Sequence, residues 1–356
     1  MNSRTPSDAH VDQRPLGTGF TAWSTARDVL TGLDLTGRQA VVTAGHVGVG
    51  LEMTRALAGA GAQVTVAARN PDRAGVVTGL AGVTVEPLDL LDAGSVAAFA
   101  RRRAGRPVDV LIANAGVPPP ATLTRDARGH ELQFATNHLG HFRLTRLLLP
   151  ALRAAGGARV VVATSGAHRL TDVVWDDPHL TRTAYDPFLA YGQSKTANVL
   201  FAVELDRRCA ADGIRAFAAH PGIVVGTALN GAAGEASLRA AGLVDDAGHP
   251  VIDPARGRKN PAQGASTAVF GATSPLLDGL GGLYLLDNDV SVLDEDPRPF
   301  DVATEQDPPA TVVPHAIDRE SARRLWTMSE RMLAHRPDHD PIATPAHGGT
   351  SPQPRC

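Results

Sequence analysis

The sequence predicts an α/β fold: a single domain in which helices flank a mostly parallel, doubly wound sheet of seven strands. Three observations carry this reading. Short apolar runs bounded by turn residues recur at 39–43, 63–68, 83–87, 108–113, 158–164, 214–220 and 282–286. Stretches with helical spacing of apolar residues separate most of them, and alternation of this kind implies a parallel sheet with right-handed crossovers. The first run also ends in a glycine-rich turn that opens a helical stretch.

Taken in order, residues 1–34 form a polar arm, expected to be partly disordered, with a short helix at 21–33 leading into a domain at 35–335. Helical patterns follow at 51–60, 71–80 and 93–103, and 131–155 reads as one long helix broken near Pro150. Residues 189–211 are a helix between the fifth and sixth strands. Residues 227–260, rich in small side chains, follow the sixth strand. Ligands of open α/β sheets bind beyond the strands' carboxyl ends, so this stretch reads as a substrate lid, or else as a plain surface insertion. Residues 287–307 carry eight acidic residues against the single Arg298. They lack the spaced acids and glycine of a calcium loop, so a solvated loop is expected. A final amphipathic helix covers 321–333, and 336–356 reads as a disordered tail.

Composition narrows the function classes. Of 356 residues 43% are hydrophobic and 20% charged, which is ordinary for a globular core, and the formal charge of -3 gives no footprint for nucleic acid. The two cysteines, Cys209 and Cys356, supply neither a disulfide framework nor a cysteine metal site, and no metal is expected. The polar start is no secretory signal, and no apolar run approaches the roughly 18 residues of a spanning helix. A soluble, cytoplasmic protein with no membrane partner is expected. The Ala/Gly/Arg-heavy composition points to a bacterial source.

Tyr191 and Lys195 stand four apart in a helical stretch, one turn above each other on one face. The chain has 34 Lys+Arg but only two lysines, Lys195 and Lys259, and three tyrosines. Where arginine is used almost everywhere, a lysine points to a compact, adjustable amine. An ammonium near a phenol favours the phenolate, so the Tyr191 pKa is expected to fall from about 10, making Tyr191 a proton donor and acceptor for an alcohol/carbonyl pair. The glycine turn, with Gly45, Gly48 and Gly50 between a strand and a helix, fits a pyrophosphate, because glycines admit close backbone approach and the helix N-terminus offers free N–H groups. Arg69 closes the second strand, where an acid would suit NAD and an arginine suits the 2′-phosphate of NADP. Arg69 also reads as a solvated strand end, so NADP(H) is the first expectation and NAD(H) the alternative. Asp89 stands where it would accept from an adenine amino group, and Asn114-Ala115-Gly116 makes a floor of small residues.

These residues, in this order, resemble the short-chain dehydrogenases/reductases over roughly 35–333. The phrases Asn137-His-Leu-Gly-His-Phe142, Ser165-Gly-Ala-His168 and His220-Pro-Gly222 are similar to the branch of retinol dehydrogenases, WW-domain oxidoreductases and light-dependent protochlorophyllide reductases. The resemblance implies a Rossmann-type fold and a catalytic set of Asn137, Ser165, Tyr191 and Lys195. In that set Tyr191 moves the proton, Lys195 holds the nicotinamide ribose, Ser165 bonds the substrate oxygen, and Asn137 sits in a mid-helix distortion and positions a relay water. It further implies cofactor contacts from Thr43, Gly45, His46, Gly48, Val49 and Gly50, from Arg69, Asp89 and Leu90, and from Asn114, Ala115, Gly116, Tyr191 and Lys195. Pro221, Gly222, Ile223 and Thr227 complete them. The sequence departs from the pattern at Ala44, which follows Thr43 where a glycine is usual, at Val47, and at Gly226, which puts the hydroxyl of Thr227 one residue late.

The expected function is an NADP(H)-dependent oxidoreductase interconverting a small, largely apolar ketone or aldehyde, such as a secondary metabolite, and its alcohol. The alternatives are a cofactor-binding scaffold or redox sensor with little turnover, and an epimerase or dehydratase with bound NAD. A monomer and a homodimer are both compatible with the resemblance.

Overall fold

The structure is a computed structural model and describes residues 11–225, 227, 234–300 and 307–334. Its strands are β1 (Gln39–Thr43), β2 (Gln63–Ala68), β3 (Val83–Pro87), β4 (Val110–Ala113), β5 (Arg159–Ala163), β6 (Arg215–His220), β7 (Ile223–Val224), β8 (Arg258–Lys259), β9 (Leu283–Leu286) and β10 (Asp289–Val290). The central sheet has the order β10-β9-β6-β5-β4-β1-β2-β3. Its seven expected strands are parallel, and the short β10 adds an eighth, antiparallel to β9 at the edge. The order reverses between β1 and β4, which opens a crevice at the carboxyl ends of these strands.

Side chains along the inner strands alternate between two cores, as a sheet covered on both faces requires. Val160, Val162, Ala216 and Ala218 join Phe142, Phe201 and Trp326 on one face. Val161, Phe217 and Ala219 join Met53, Leu57 and Phe270 on the other. The helices are α1 (Gly48–Gly59), α2 (Ala93–Arg102), α3 (His141–Ala154), α4 (Pro187–Cys209), α5 (Glu235–Ala240), α6 (Pro261–Thr273), α7 (Pro314–Ile317) and α8 (Arg319–Ala334).

Several elements differ from expectation for local physical reasons. Residues 71–80 form only the 3-10 turn Pro71–Ala74, because Gly75 and Gly79 and the branched Val76, Val77 and Thr78 do not propagate a helix, and Gly79 is left-handed at φ 94°. The stretch 21–33 likewise holds only Asp28–Leu30. The long helix is not broken at Pro150, which lies inside α3. Pro150 and Arg146, whose carbonyl loses its donor, are both exposed, so the lost bond falls on the solvent side of the helix. The mid-helix distortion that the resemblance implied at Asn137 is present, as a π-helical turn over Phe134–Gly140. Helix α6 was not foreseen, because its run of small residues has no 3.6-residue apolar stripe. Its signal was the start: Asn260 and Gln263 form a capping box, followed by Pro261 at the first position.

From Val11 onward the arm is laid along the sheet edge rather than loose. The Asp289 carboxylate accepts from the N–H groups of Leu16 at 2.7 Å and Gly17 at 2.9 Å, and Asn288 Nδ2 donates to Thr21 O at 2.8 Å. The acidic stretch after β9 is less solvated than expected. Asp287 pairs with Lys259, Asp294 with Arg169 and Asp307 with Arg256, each at 2.6 Å. Among the described residues no group of three or more acidic, histidine or cysteine side chains is placed to hold a metal, and no helix is long and apolar enough to cross a membrane. The tail 336–356, with Cys356, and Gly226 lie outside the described residues.

Candidate active site

Helix α4 begins at Asp186, whose side chain accepts from the N–H groups of Phe188 and Leu189 at 2.8 Å, with Pro187 at the first helical position. Nearly every residue from 190 to 206 is buried, so the helix is held on all sides and its side chains are fixed in direction. Gly192 stands inside the Tyr-x-x-x-Lys stretch because a Cβ there would lie 2.8 Å from the carbonyl of Ala167. That close approach brings α4 against the turn Gly166–Arg169, whose N-cap is Ser165. The Tyr191 hydroxyl is thereby brought beside the Ser165 side chain, whose influence lowers the phenol's pKa. Lys195 Nζ lies 5.3 Å from the centre of the Tyr191 ring and donates to Ala163 O at 3.3 Å.

The ionisation of the pair overturns one expectation. Burial pushes the Tyr191 phenol up to about 12, against the opposing pull of the Ser165 side chain. Burial pushes Lys195 down to about 8. The ammonium sits over the ring face and bonds to backbone, so desolvation outweighs its pull on the phenol.

Asn137 is fully buried within the π turn. Its Nδ2 donates to Ser194 Oγ at 3.0 Å, and its Oδ1 accepts from Val117 N at 3.0 Å. Ser194 Oγ in turn donates to Tyr191 O at 2.8 Å. The sequence set thus comes together, and Ser194 joins it unforeseen; its position one residue before Lys195 was the only signal.

Across the crevice, Thr43 ends β1 with its Oγ1 accepting from the N–H groups of Asn114 and Ala115 at 2.9 Å. Asn114 Nδ2 donates to Thr43 O at 3.0 Å. The glycine turn is as close as sequence spacing implied. A Cβ on Gly45 would lie 2.6 Å from Thr54 Oγ1, and one on Gly50 would lie 2.4 Å from Ala44 O. Gly48 is left-handed at φ 53°, and so is Ala44 at φ 53°, a conformation that favours the glycine it replaces. Val49 is partly buried behind this turn, while Val47 points outward at 49% exposure. His46 Nδ1 is buried with no hydrogen-bond partner among the described residues, and burial lowers the ring's pKa.

Arg69 is exposed just beyond β2, with no hydrogen bond or ion pair among the described residues. Asp89 Oδ1 is engaged locally by Leu91 N at 3.0 Å, and Leu90 is buried against Gly140. Gly116 lies 3.3 Å below Asn137 Oδ1, measured from where its Cβ would stand. After Pro221, Gly222 takes φ 80° against the stem of Lys259, and Ile223 begins β7. Thr227 Oγ1 donates to Val224 O at 3.1 Å, and its methyl lies over Gly48, 3.4 Å from where a Cβ would be. The loop after β6 therefore reaches the glycine turn despite the late threonine. Beside it, His220, Gly222, Arg256, Asp287, Asp307 and Ala310 line a cavity of about 220 Å³.

The crevice suits a dinucleotide. Glycines leave the turn without side chains, the first helix N-terminus opens into it, and the unpartnered His46 nitrogen and Arg69 guanidinium stand beside it. A doubly wound sheet with this crevice and a Ser–Tyr–Lys cluster at its edge defines a nucleotide-dependent oxidoreductase class. The short chain dehydrogenase profile matches residues 38–237, and the chain belongs to that family. A probable oxidoreductase of Streptomyces lividans is 48% identical over 302 residues, covering 83% of this chain and 97% of that one. The zebrafish (Danio rerio) WW domain-containing oxidoreductase is 34% identical over 87% of this chain and 72% of its own length. An uncharacterised Mycobacterium paratuberculosis protein of known structure superposes with a TM-score of 0.63 at 30% identity, covering 88% and 97% of the two chains. These relatives place the chain in the branch that its Asn137–Phe142 phrase resembles.

Proposed function

We propose that the protein is an NADP(H)-dependent oxidoreductase that interconverts the carbonyl and alcohol forms of a small molecule, with Tyr191 as general acid and base. The observation that carries this is the Tyr191 ring with Lys195 Nζ over it at 5.3 Å, on a helix packed by Gly192 against the turn that Ser165 caps. Gly45, Gly48, Gly50 and the floor Asn114-Ala115-Gly116 would hold the cofactor, and exposed Arg69 would meet a 2′-phosphate. Bound there, the nicotinamide supplies hydride chemistry. The chain's own residues do the rest. Ser165 donates to the substrate oxygen and stabilises its developing charge. Tyr191, protonated at neutral pH, delivers its proton to that oxygen in reduction and recovers it in oxidation. Lys195, with a pKa near 8, changes charge where such a proton must be replaced. Asn137 fixes the turn that faces them. The described part of 227–260 would close over the substrate as a lid.

NADPH oxidation with a broad carbonyl panel tests this. Tyr191→Phe should lower kcat at least a hundredfold while NADPH still binds, since it removes only the transferable proton. Equal activity in wild type and variant refutes the assignment.

A further inference from the structure

His141 opens α3 one turn after Asn137 and is 1% exposed. Its Nδ1 lies 3.0 Å from Asn137 O. A carbonyl can only accept, so Nδ1 carries the proton and Nε2 is an acceptor. Thr43 Oγ1, 2.9 Å from Nε2, therefore donates its proton there, leaving its lone pairs for the N–H groups of Asn114 and Ala115. Burial keeps the ring neutral, with a pKa near 4. Asn137 carries the chain onward through Ser194 Oγ to the backbone of Tyr191. One unbroken line of hydrogen bonds thus runs from the floor after β4, through the end of β1 and the π turn, to the helix that bears Tyr191 and Lys195. A buried histidine that only filled space would not need both nitrogens aimed at two different parts of the site.

We propose that His141 is a positioning residue that locks the cofactor floor and the Asn137 turn into register with the Tyr191 helix, one ring nitrogen serving each side. The idea rests on the oxidoreductase reading above.

The two sides separate by substitution in the full-length protein. His141→Asn keeps an N–H near the Nδ1 position, for Asn137, and loses the acceptor for Thr43. His141→Gln keeps an acceptor near the Nε2 position and loses the bond to Asn137. His141→Phe keeps ring volume and loses both. Three quantities are measured: kcat for a carbonyl substrate with its KM, the NADPH Kd by fluorescence, and Tm. The Phe variant should lose about tenfold to a hundredfold in kcat and about tenfold in NADPH affinity, with substrate KM little changed. The Asn variant should recover kcat but not affinity, and the Gln variant affinity but not kcat. Thr43→Val should copy the Asn pattern, which keeps the comparison if the Phe variant does not fold. Parallel losses in kcat, Kd and Tm across all variants, or no change in any, overturn the proposal. A wild type that binds NADPH without turnover leaves the Kd pattern to decide it. A wild type that binds no NADPH defeats the functional reading and this one with it.

Discussion

At the scale of single residues, the site is set by burial more than by pairing. Tyr191 is pushed up to about 12 and Lys195 down to about 8 by the same cause, loss of water. The phenol is thus a firm proton holder at neutral pH, and release must be assisted by groups that arrive beside it. Ala44 is the other residue under constraint. A non-glycine residue in the left-handed region costs about 1–2 kcal/mol, and Ala44 sits there at φ 53° while its carbonyl crowds Gly50. Ala44→Gly should therefore raise stability by about 1 kcal/mol, less the small cost of a freer unfolded chain. Thermal unfolding would show this as a Tm higher by a few degrees, with NADPH affinity equal or better. A lower Tm would show that the turn is not strained.

At the scale of elements, the site depends on how closely α4 meets the turn after Ser165. Gly192 allows that approach, at the helix-propensity cost a glycine carries, about 1 kcal/mol against alanine. Gly192→Ala restores propensity but puts a Cβ 2.8 Å from Ala167 O and against Leu170. The expected outcome is a net loss of about 1 kcal/mol in stability and about a tenfold fall in kcat, as Ser165 and Tyr191 separate. Urea unfolding and steady-state kinetics on the same preparation check both; a more stable, fully active variant would mean the contact yields freely. The π turn makes a similar point. It rotates Asn137 inward, where Ser194 and Val117 hold it.

At the scale of the whole molecule, four histidines buried on the sheet's carboxyl side and around the π turn decide the response to acid. Burial holds His138, His168 and His220 near 3 and His141 near 4. In the unfolded chain each takes up a proton as pH falls through about 6.5, while the folded chain stays neutral, so the unfolded state binds more protons and stability falls. Each contributes about 1.4 kcal/mol per pH unit between its two pKa values. The urea midpoint should drop steeply from pH 6.5 to 5 and be nearly flat from 6.5 to 7.5. A midpoint unchanged at pH 5 would mean that these rings are reached by water in the folded state.

The sequence by itself determined the sheet, the glycine turn and the Tyr191–Lys195 pair, because short apolar runs, a strand–glycine–helix order and a four-residue spacing are local signals, and the family resemblance added Asn137 and Ser165. The capping box at Asn260 is equally local, but without an apolar stripe behind it α6 went unread. Only tertiary structure decided the rest. The direction of the Tyr191 pKa depends on how much water the fold removes, which no spacing reports. That the distortion expected at Asn137 takes the form of a π turn, with no break at Pro150, depends on the partner Asn137 finds on α4. The pairing of Thr43 with His141 joins residues 98 positions apart. Such contacts follow from the sheet order β4-β1, which brings distant segments together through shape and burial.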